Sequence, residues 1–481
     1  MITRSLRLIL TLGLIVLGGC ATNPATGKRQ LMLVSEGQEA AMGKEADAQF
    51  HALYGDFPDP GLQRYVESVA RPLAAVSERP GLPWTFRVID DPQVNAFALP
   101  GGYIYVTRGI LAHMNSEAEL AGVLGHEIGH VTARHSASAQ SKQMLGMVGL
   151  GVGMILSPTL REGGDALSQA FGLVFLKFGR DQESQSDELG LRYIVKKDYN
   201  PEGILDVFRT LDGVTVAAGG DRLPNWLSTH PAPPNRLADM QRIIQEQGAR
   251  GTRVGRSEFI QQLDGMMFGE NPREGFFRDG VFYHPDMAFR LNFPRDWATQ
   301  NEKQGVGGMP SSKDAMVQLT LARGEPQAAA QEFANQQGLQ AGSIERGNVN
   351  GLPASSLQFQ VQDQQSGILQ GVVTFLKHDG KTFQLLGYTT EARYGAYKTS
   401  FMNWIRSFDR LTDRRLLSAQ PMRLKIETVR SLTTMANLAR DWNSPVKAES
   451  LALINAVSLS ESLPSGTLVK RVVGENFQQE R

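Results

Sequence analysis

Residues 125–130 read Gly-His-Glu-Ile-Gly-His, so two histidines stand four positions apart with a glutamate directly after the first. Residues four apart lie one turn above each other on the same face only when the chain is α-helical. Ser116 and Glu119 have the spacing of a capping box just ahead of this segment, and an apolar stripe follows them. The sequence therefore predicts a buried helix that presents both histidines on one face.

The same pattern predicts a metal site. Two imidazoles on one helix face can bind one Zn²⁺ at about 2.0–2.1 Å each. We therefore predict one zinc ion per chain, with His126 and His130 as ligands. Glu127 is turned about 100° from His126 around the helix axis, and we expect it to act as general base in the hydrolysis of a peptide bond. With 8 histidines in 481 residues, the pattern arises by chance in on the order of one chain in a hundred.

A catalytic zinc needs a third protein ligand that leaves one position open for water. The acidic run at residues 181–188 supplies candidates on a predicted helix, where Glu183 and Asp187 share one face. Glu183 could bind the metal, and Asp187 could hold a ligand histidine through a hydrogen bond. From the residues alone Glu188 is nearly as good a ligand, and acidic runs are usually solvated faces.

Residues 1–19 have the order of a secretory signal peptide, with Arg4 and Arg7 at the start, a short apolar run, and two glycines before Cys20. The run is too short to span a membrane. Cys20 is the only cysteine, so no intramolecular disulfide can form. The ending resembles a bacterial lipoprotein signal, which predicts a lipid on Cys20 and membrane anchoring through it. The alternative is an ordinary secretory signal with a chance cysteine.

Beyond the signal, the pattern of apolar residues changes twice along the chain. Residues 20–265 combine helical patterns with a few short strands, which predicts a mostly helical domain with a small sheet. Residues 275–412 carry period-two runs and two helical stretches, which predicts a separate α+β domain of unknown role. Residues 418–475 predict a small β-α-α-β unit. The predicted fold class is therefore multidomain.

The charge of the chain argues against one class of partner. Lys and Arg together number 49, as do Asp and Glu, so the formal net charge is zero. No global field then favours nucleic acid, and we predict no nucleic-acid partner.

Five segments, taken in order, resemble one protein family. They are Asn23–Gly27, Asn95–Gly102, the helix with both histidines, the Glu183/Asp187 pair, and Ser228–Pro231. This order is similar to the periplasmic lipoprotein branch of metallopeptidase family forty-eight, whose relatives include the CAAX prenyl proteases and the β-barrel-assembly-enhancing protease. The resemblance implies a zincin-type fold for residues 20–265. It also implies that the third ligand is the glutamate four residues before an aspartate, hence Glu183, although Ser186 stands where the family usually has alanine.

The resemblance further implies where such a protein works. Residue 21 is Ala rather than Asp, and similarity to lipoprotein sorting in two-membrane bacteria then favours the periplasmic face of the outer membrane. The expected partners are unfolded or misassembled envelope proteins, which the enzyme would degrade in quality control. The alternative is a chaperone-like or cell-wall-binding envelope scaffold with a latent protease site.

His230 lies in a proline-rich loop, residues 229–234. One interpretation is a rigid turn that packs on the domain. The other is a role at the metal, where His230 either stabilises the oxyanion or fills the open position. The resemblance implies such a role, since relatives look to use a loop histidine as a switch. We predict that His230 fills the open position, since a loop can supply and withdraw a ligand more easily than a helix.

The residues Gly102, Tyr103, Ile104 and Tyr105 predict a strand beside the cleft. Metallopeptidases commonly hold substrate as an added antiparallel strand, which tolerates many substrate sequences. We expect these four residues to bind substrate, provided that their strand is an exposed edge. An internal strand is the alternative.

Two further segments allow more than one role. Met144–Leu156 is apolar and glycine-rich but too short to span a bilayer. We predict a buried helix there, with a hydrophobic lid over the cleft as the alternative. Arg423–Val473 weakly resembles a LysM module, which implies a peptidoglycan contact, although Ser431-Leu432-Thr433 stands where that module has Gly-Asp-Thr.

Overall fold

The computed structural model describes residues 20–149, 178–217, 226, 230, 235–363 and 367–477. The predicted signal peptide, residues 150–156 of the apolar segment and the neighbours of His230 in its loop lie outside these residues. The described chain forms two compact units. The first contains residues up to 269 together with 423–473, and the second contains residues 270–422 together with 474–477. None of the described helices is both long enough and apolar enough for a membrane span.

The first unit combines many helices with small sheets. Up to residue 269 its strands are β1 (Cys20–Thr22), β2 (Arg29–Leu31), β3 (Thr85–Ile89), β4 (Ala96–Leu99) and β5 (Tyr103–Thr107). Over the same stretch its helices are α1 (Glu36–Tyr54), α2 (Pro60–Ala75), α3 (Arg108–His113), α4 (Glu117–Thr132), α5 (His135–Gly149), α6 (Arg180–Lys196), α7 (Glu202–Ala217), α8 (Arg236–Glu246) and α9 (Arg256–Gln262). The strands β1 and β2 pair as an antiparallel hairpin, and β3, β5 and β4 form a separate sheet.

Helix α4 carries the two histidines, and every one of its residues is buried. The side chain of Ser116 caps its first turn by accepting a hydrogen bond from the backbone N–H three residues later. Two glycines let α6 approach closely. A Cβ on Gly125 would lie 3.1 Å from the carbonyl oxygen of Gly190, and a Cβ on Gly129 would lie 3.0 Å from that of Ser186. This close crossing brings the acidic run on α6 against the histidines of α4.

The strand predicted to bind substrate is not an edge strand. β5 lies between β3, its parallel partner, and β4, its antiparallel partner. Tyr103, Ile104 and Tyr105 therefore use their backbone groups within the sheet, and Gly102 lies in the preceding turn with φ at 106°. The prediction of an exposed edge was wrong because β5 has a hydrogen-bonded strand on each side, whereas an edge strand has only one. Within the described residues, β4 has no second neighbour in this sheet.

The second unit is an α+β unit. Its strands are β6 (Phe276–Arg278), β7 (Val281–His284), β8 (Phe289–Asn292), β9 (Ala298–Glu302), β10 (Gly305–Met309), β11 (Ala315–Ala322), β12 (Leu339–Ala341), β13 (Glu345–Val349), β14 (Leu352–Asp363), β15 (Gly367–His378), β16 (Lys381–Thr390) and β17 (Asp409–Arg410). Its helices are α10 (Pro326–Ala334), α11 (Tyr394–Arg406) and α12 (Arg414–Leu417). The large sheet has the order β12-β14-β15-β16-β11-β10-β9, with β13 also paired to β14. Apolar clusters pack α10 and α11 against it.

Residues 423–473, which the sequence predicts as part of a domain of their own, pack into the first unit. Their elements are β18 (Arg423–Thr428), β19 (Thr433–Thr434), α13 (Met435–Asp441), α14 (Ala448–Ile454), β20 (Ser462–Leu463) and β21 (Leu468–Val473). β18 pairs with β21, and β19 pairs with β20. The outer pair and the two helices follow the predicted β-α-α-β order, whereas the short strands β19 and β20 were not predicted. The likeness to a LysM module stays a prediction.

A buried lysine joins this C-terminal segment to the helix that precedes α4. Nζ of Lys470 on β21 donates to the carbonyl oxygens of Ala112 (2.8 Å) and Met114 (2.7 Å). These carbonyls lie at the end of α3, where the helix itself has no N–H to offer them. Lys470 is 0% exposed. The C-terminal segment therefore completes the turn that leads into α4.

Candidate metal centre

Helix α4 places three polar side chains at the centre of the first unit. His126, Glu127 and His130 are all buried. The two histidines lie one helical turn apart, and their Nε2 atoms are separated by 2.9 Å. The spacing in the sequence predicts this arrangement.

Two side chains from other segments complete the cluster. Glu183 on α6 has Oε2 at 3.5 Å from Nε2 of His126 and Oε1 at 3.4 Å from Nε2 of His130. Nδ1 of His230 lies 3.3 Å from Nε2 of His126 and 3.2 Å from Oε1 of Glu183. Each of the four residues offers one ligand atom, and these atoms all lie within 4.8 Å of one another.

The donor set fits a zinc ion. Two atoms that are each about 2.0–2.1 Å from a tetrahedral zinc lie roughly 3.3 Å apart, and the measured separations run from 2.9 to 3.5 Å. The hydrogen bonds agree with this assignment. Nδ1 of His126 and Nδ1 of His130 both face partners, so their Nε2 lone pairs point at each other. Buried lone pairs at this distance are unfavourable unless a cation lies between them.

A buried ion pair holds His126. Its Nδ1 donates to Oδ1 of Asp187 at 2.8 Å, so Asp187 lies where the sequence predicts. Arg236 makes two hydrogen bonds to the same carboxylate, at 2.7 and 2.8 Å, and its guanidinium lies 4.8 Å from the ring centroid of Trp226. Sequence reasoning assigned no role to Arg236. No local pattern points to it, because its partner is 49 residues away along the chain.

His130 is held by hydrogen bonds through a second histidine and a glutamine, and not by an ion pair. Its Nδ1 lies 2.9 Å from Nδ1 of His135, and Nε2 of His135 lies 2.7 Å from Oε1 of Gln185. Burial lowers the pKa of His135 to about 4, so this ring is neutral near pH 7. Sequence reasoning missed both residues. The one available signal was the short spacing between His130 and His135, but α4 ends at Thr132 and a new helix begins at His135.

Glu127 faces the same cluster. Its Oε1 accepts a hydrogen bond from Nε1 of Trp226 at 3.2 Å and lies 3.6 Å from Nε2 of His230. Within the described part of the chain, Oε2 of Glu127 has no hydrogen-bond partner. The rings of Trp226 and His230 stack at 5.0 Å, and both side chains are buried. These two residues therefore cover Glu127 and the ligand atoms.

The orientation of α6 about its own axis decides between Glu183 and Glu188 as the third ligand. Glu183 and Asp187 lie on its buried face, which packs on α4. Glu188 is exposed. Glu183 therefore lies among the ligand atoms, as the resemblance implies, and Glu188 does not.

Burial and charge oppose each other at this centre. Burial lowers the pKa of His126, but Asp187 and Glu183 outweigh it and raise this pKa to about 9. Burial raises the pKa of Glu183, but His230 and His130 outweigh it and hold this pKa well below its usual range. The carboxylates that stabilise a proton on His126 would equally stabilise a divalent cation at its Nε2.

Residues 60–244 match the profile of Peptidase family M48. These residues are therefore similar to that peptidase family. The match includes both histidines of α4, Glu183 and His230, and it excludes the β1–β2 hairpin and the second unit.

Two relatives with established names are similar to the chain. Mitochondrial metalloendopeptidase OMA1 of Arabidopsis thaliana is 32% identical over 223 residues, which cover 46% of this chain and 44% of the relative. Beta-barrel assembly-enhancing protease of Escherichia coli strain K12 is 30% identical over 229 residues, which cover 45% of this chain and 46% of the relative. The chain thus spans less than half the length of either protein. Together with the family match, these relatives confirm the predicted metalloendopeptidase for the matched domain.

One solved structure shows only a weak likeness. The solution structure of cyanobacterial PsbP from Synechocystis sp. PCC 6803 aligns with 27% of this chain and 91% of its own, at 16% identity and a TM-score of 0.23. A score this low supports no conclusion about the fold or the function of the chain.

Proposed function

We propose that the chain is a zinc-dependent endopeptidase with one Zn²⁺ bound by His126, His130 and Glu183. The observation that carries this proposal is the convergence of buried ligand atoms from α4 and α6 at separations that suit tetrahedral zinc. The M48 match and the metalloendopeptidase among the relatives support the same reaction.

The residues around the site supply the proton transfers of peptide hydrolysis. When bound, zinc polarises the carbonyl of the scissile bond and acidifies water. Trp226 holds Oε1 of Glu127, which leaves Oε2 as the basic atom. Glu127 takes a proton from the attacking water and passes it to the leaving nitrogen. The Asp187–Arg236 pair keeps the His126 ring oriented during this cycle.

His230 closes the resting site in this proposal. Its Nδ1 lies 3.3 Å from Nε2 of His126 and 3.2 Å from Oε1 of Glu183, which supports its role as a fourth ligand. A zinc with four protein ligands has no position for water, so the resting enzyme would be inactive. Displacement of the segment that carries Trp226 and His230 would free the fourth position and uncover Glu127.

The proposed substrates are unfolded or misassembled envelope proteins. The name of the Escherichia coli relative connects that protein with β-barrel assembly, which supports this class. Because β5 is internal, the strand that would accept a substrate segment is β4. We further propose that a lipid on Cys20 anchors the chain at the periplasmic face of the outer membrane.

Casein degradation with and without a zinc chelator tests the reaction. Glu127→Gln should retain zinc and lose most turnover, because only the proton transfer is removed. The exposed Glu188→Gln should retain both, and His126→Ala should lose both. Near-normal proteolysis by Glu127→Gln would show that the base is misassigned. Chelator-resistant proteolysis, or none in any form of the protein, would favour the scaffold alternative.

A further inference from the structure

The hydrogen-bond chain behind His130 continues past Gln185 into the N-terminal hairpin. Asn23, which follows β1, is only 3% exposed. Its Oδ1 accepts hydrogen bonds from the backbone N–H groups of Ala25 (2.8 Å) and Thr26 (3.2 Å). These two bonds determine which end of the amide is oxygen. The Nδ2 end therefore points into the first unit, where Oε1 of Gln185 lies 3.3 Å away.

The hairpin also contacts the end of α4. Nδ2 of Asn23 lies 3.3 Å from the carbonyl oxygen of Ala133, the residue that follows the helix. Nε2 of Gln30, on β2, donates to the same carbonyl at 3.1 Å. The hairpin is thus docked both on the helix that carries the histidines and on Gln185. Of Asn23 and Gln30, only Asn23 contacts Gln185.

The amide of Asn23, at one end of this series of hydrogen bonds, determines which nitrogen of each imidazole carries a proton. Nδ2 of Asn23 can only donate, so the atom of Gln185 that faces it is oxygen. That oxygen can only accept, so Nε2 of His135 carries a proton. With its proton at Nε2, this ring has its lone pair at Nδ1, which lies 2.9 Å from Nδ1 of His130 and accepts from Nδ1–H of that residue. His130 is left with a lone pair at Nε2, the atom that faces Glu183.

We propose that Asn23, Gln185 and His135 are positioning residues that orient His130 and select the tautomer that binds zinc. This inference rests on the proposed zinc site. A charged pair holds His126, whereas this neutral relay holds His130. The hairpin lies outside residues 60–244, so the metal site of this chain depends on residues beyond the M48 match.

Loss of the relay has a defined consequence at His130. Without an acceptor at its Nε2, His135 can carry its proton at Nδ1 instead, and Nδ1–H of His130 then faces a donor and loses its acceptor, which is unfavourable. The opposite tautomer, with its proton at Nε2, would then compete, and that tautomer cannot bind a metal. Replacement of groups that hydrogen-bond metal ligands typically weakens metal binding about 10–100-fold.

A pair of substitutions at Gln185 tests the relay in the full-length protein. Gln185→Leu removes the acceptor for His135, and we expect it to raise the zinc Kd about 10–100-fold in a competition assay with a chromogenic chelator. Gln185→Glu retains an acceptor oxygen and should restore the Kd to within about threefold of the unmodified protein. A loss of affinity in the Leu variant without rescue by Glu would indicate a general packing defect and overturn the proposal.

A second pair of substitutions tests the hairpin. Asn23→Asp retains Oδ1 for the turn but removes the donor toward Gln185, and we expect it to raise the zinc Kd at least about threefold. Gln30→Ala removes a bond to the same helix end and one of three acceptors near Nδ2 of Asn23, namely Oε1 of Gln30 at 3.2 Å. The two protons of Nδ2 are then left for Ala133 and Gln185, so the Kd should be unchanged. Equal effects in the two variants would mean that docking of the hairpin, and not the relay, matters.

Two measurements separate this inference from the proposed function. If the unmodified protein binds no zinc, and His126→Ala changes nothing, the zinc site itself is wrong. If the unmodified protein binds zinc and Gln185→Leu binds it equally well, only the relay is wrong.

Nitrogen-15 NMR of the imidazole rings in the zinc-loaded protein needs no variant. We expect protons at Nε2 of His135 and Nδ1 of His130, and a proton at Nδ1 of His135 would refute the relay.

Discussion

Replacement of Lys470 tests whether the C-terminal segment is an integral part of the peptidase unit. Lys470→Met keeps most of the side-chain volume but removes both hydrogen bonds to the end of α3. Two buried carbonyls are left without a donor, at roughly 1–3 kcal/mol each at most, and removal of a buried amine offsets part of this loss. We expect the free energy of unfolding to fall by about 2–3 kcal/mol.

The assay must report on the first unit, because a chain with two compact units need not unfold in one transition. Native-state hydrogen exchange, read by mass spectrometry on peptides from α3 and α4, measures the loss locally. The matched control is Lys425→Met on β18, where the side chain is 56% exposed and pairs with Glu427. This control should change stability by less than about 0.5 kcal/mol. Unchanged exchange in α3 and α4 of Lys470→Met would refute the reasoning.

The pH dependence gives a second test of the same residue. Burial lowers the pKa of Lys470 from 10.5 to about 7. The unfolded chain then binds more protons between these values, so Lys470 makes stability rise with pH from about 7 to 10.5. Burial raises the pKa of nearby Glu119 from 4.5 to about 7. Between these two pH values the folded chain binds more protons at Glu119, so this group makes stability fall as the pH rises from 4.5 to about 7. Lys470→Met should abolish the alkaline slope and retain the acidic one.

Five other variants test the site and the anchor. Glu183→Gln should weaken zinc binding sharply, and Asp187→Asn should weaken it about 10–100-fold. Glu188→Gln should not weaken it. If metal analysis showed zinc loss in Glu188→Gln but not in Glu183→Gln, the third ligand would be Glu188. His230→Ala should raise basal proteolysis if the ring caps the metal, and turnover measured beside the melting temperature decides. A drop of roughly 10²–10³ at unchanged stability would instead indicate oxyanion stabilisation. Cys20→Ala should move the protein from the membrane to the soluble fraction, and retention on membranes at high salt would contradict lipid anchoring.

The core of the site could be predicted from the sequence because it depends on helical periodicity, which is a local property. The spacing of His126 and His130 places them on one face of α4, and the spacing of Glu183 and Asp187 does the same on α6. The choice of Glu183 over Glu188 needed the family resemblance. An isolated acidic helix does not reveal which of its faces will be buried.

The residues that support the ligands could not be predicted in this way. Asn23 and Gln185 are 162 residues apart, and Asp187 and Arg236 are 49 residues apart. Their contacts arise only when α6 crosses α4 at Gly125 and the N-terminal hairpin docks beside them. Hydrogen bonds between distant segments leave no periodic signal in either segment.

Sheet position and burial were likewise decided by tertiary structure. The sequence determined that residues 103–107 form a strand, but the parallel pairing with β3 made it central, and a strand does not encode the number of its neighbours. The sequence also predicted two strands and two helices in residues 423–473, but not the short strands β19 and β20. Lys470 looks like a solvated residue within β21, yet it is buried, because α3 lies across it and supplies two carbonyl oxygens. Local sequence determines which element forms, whereas burial depends on the segment that covers it, and that segment is chosen by packing over the whole unit.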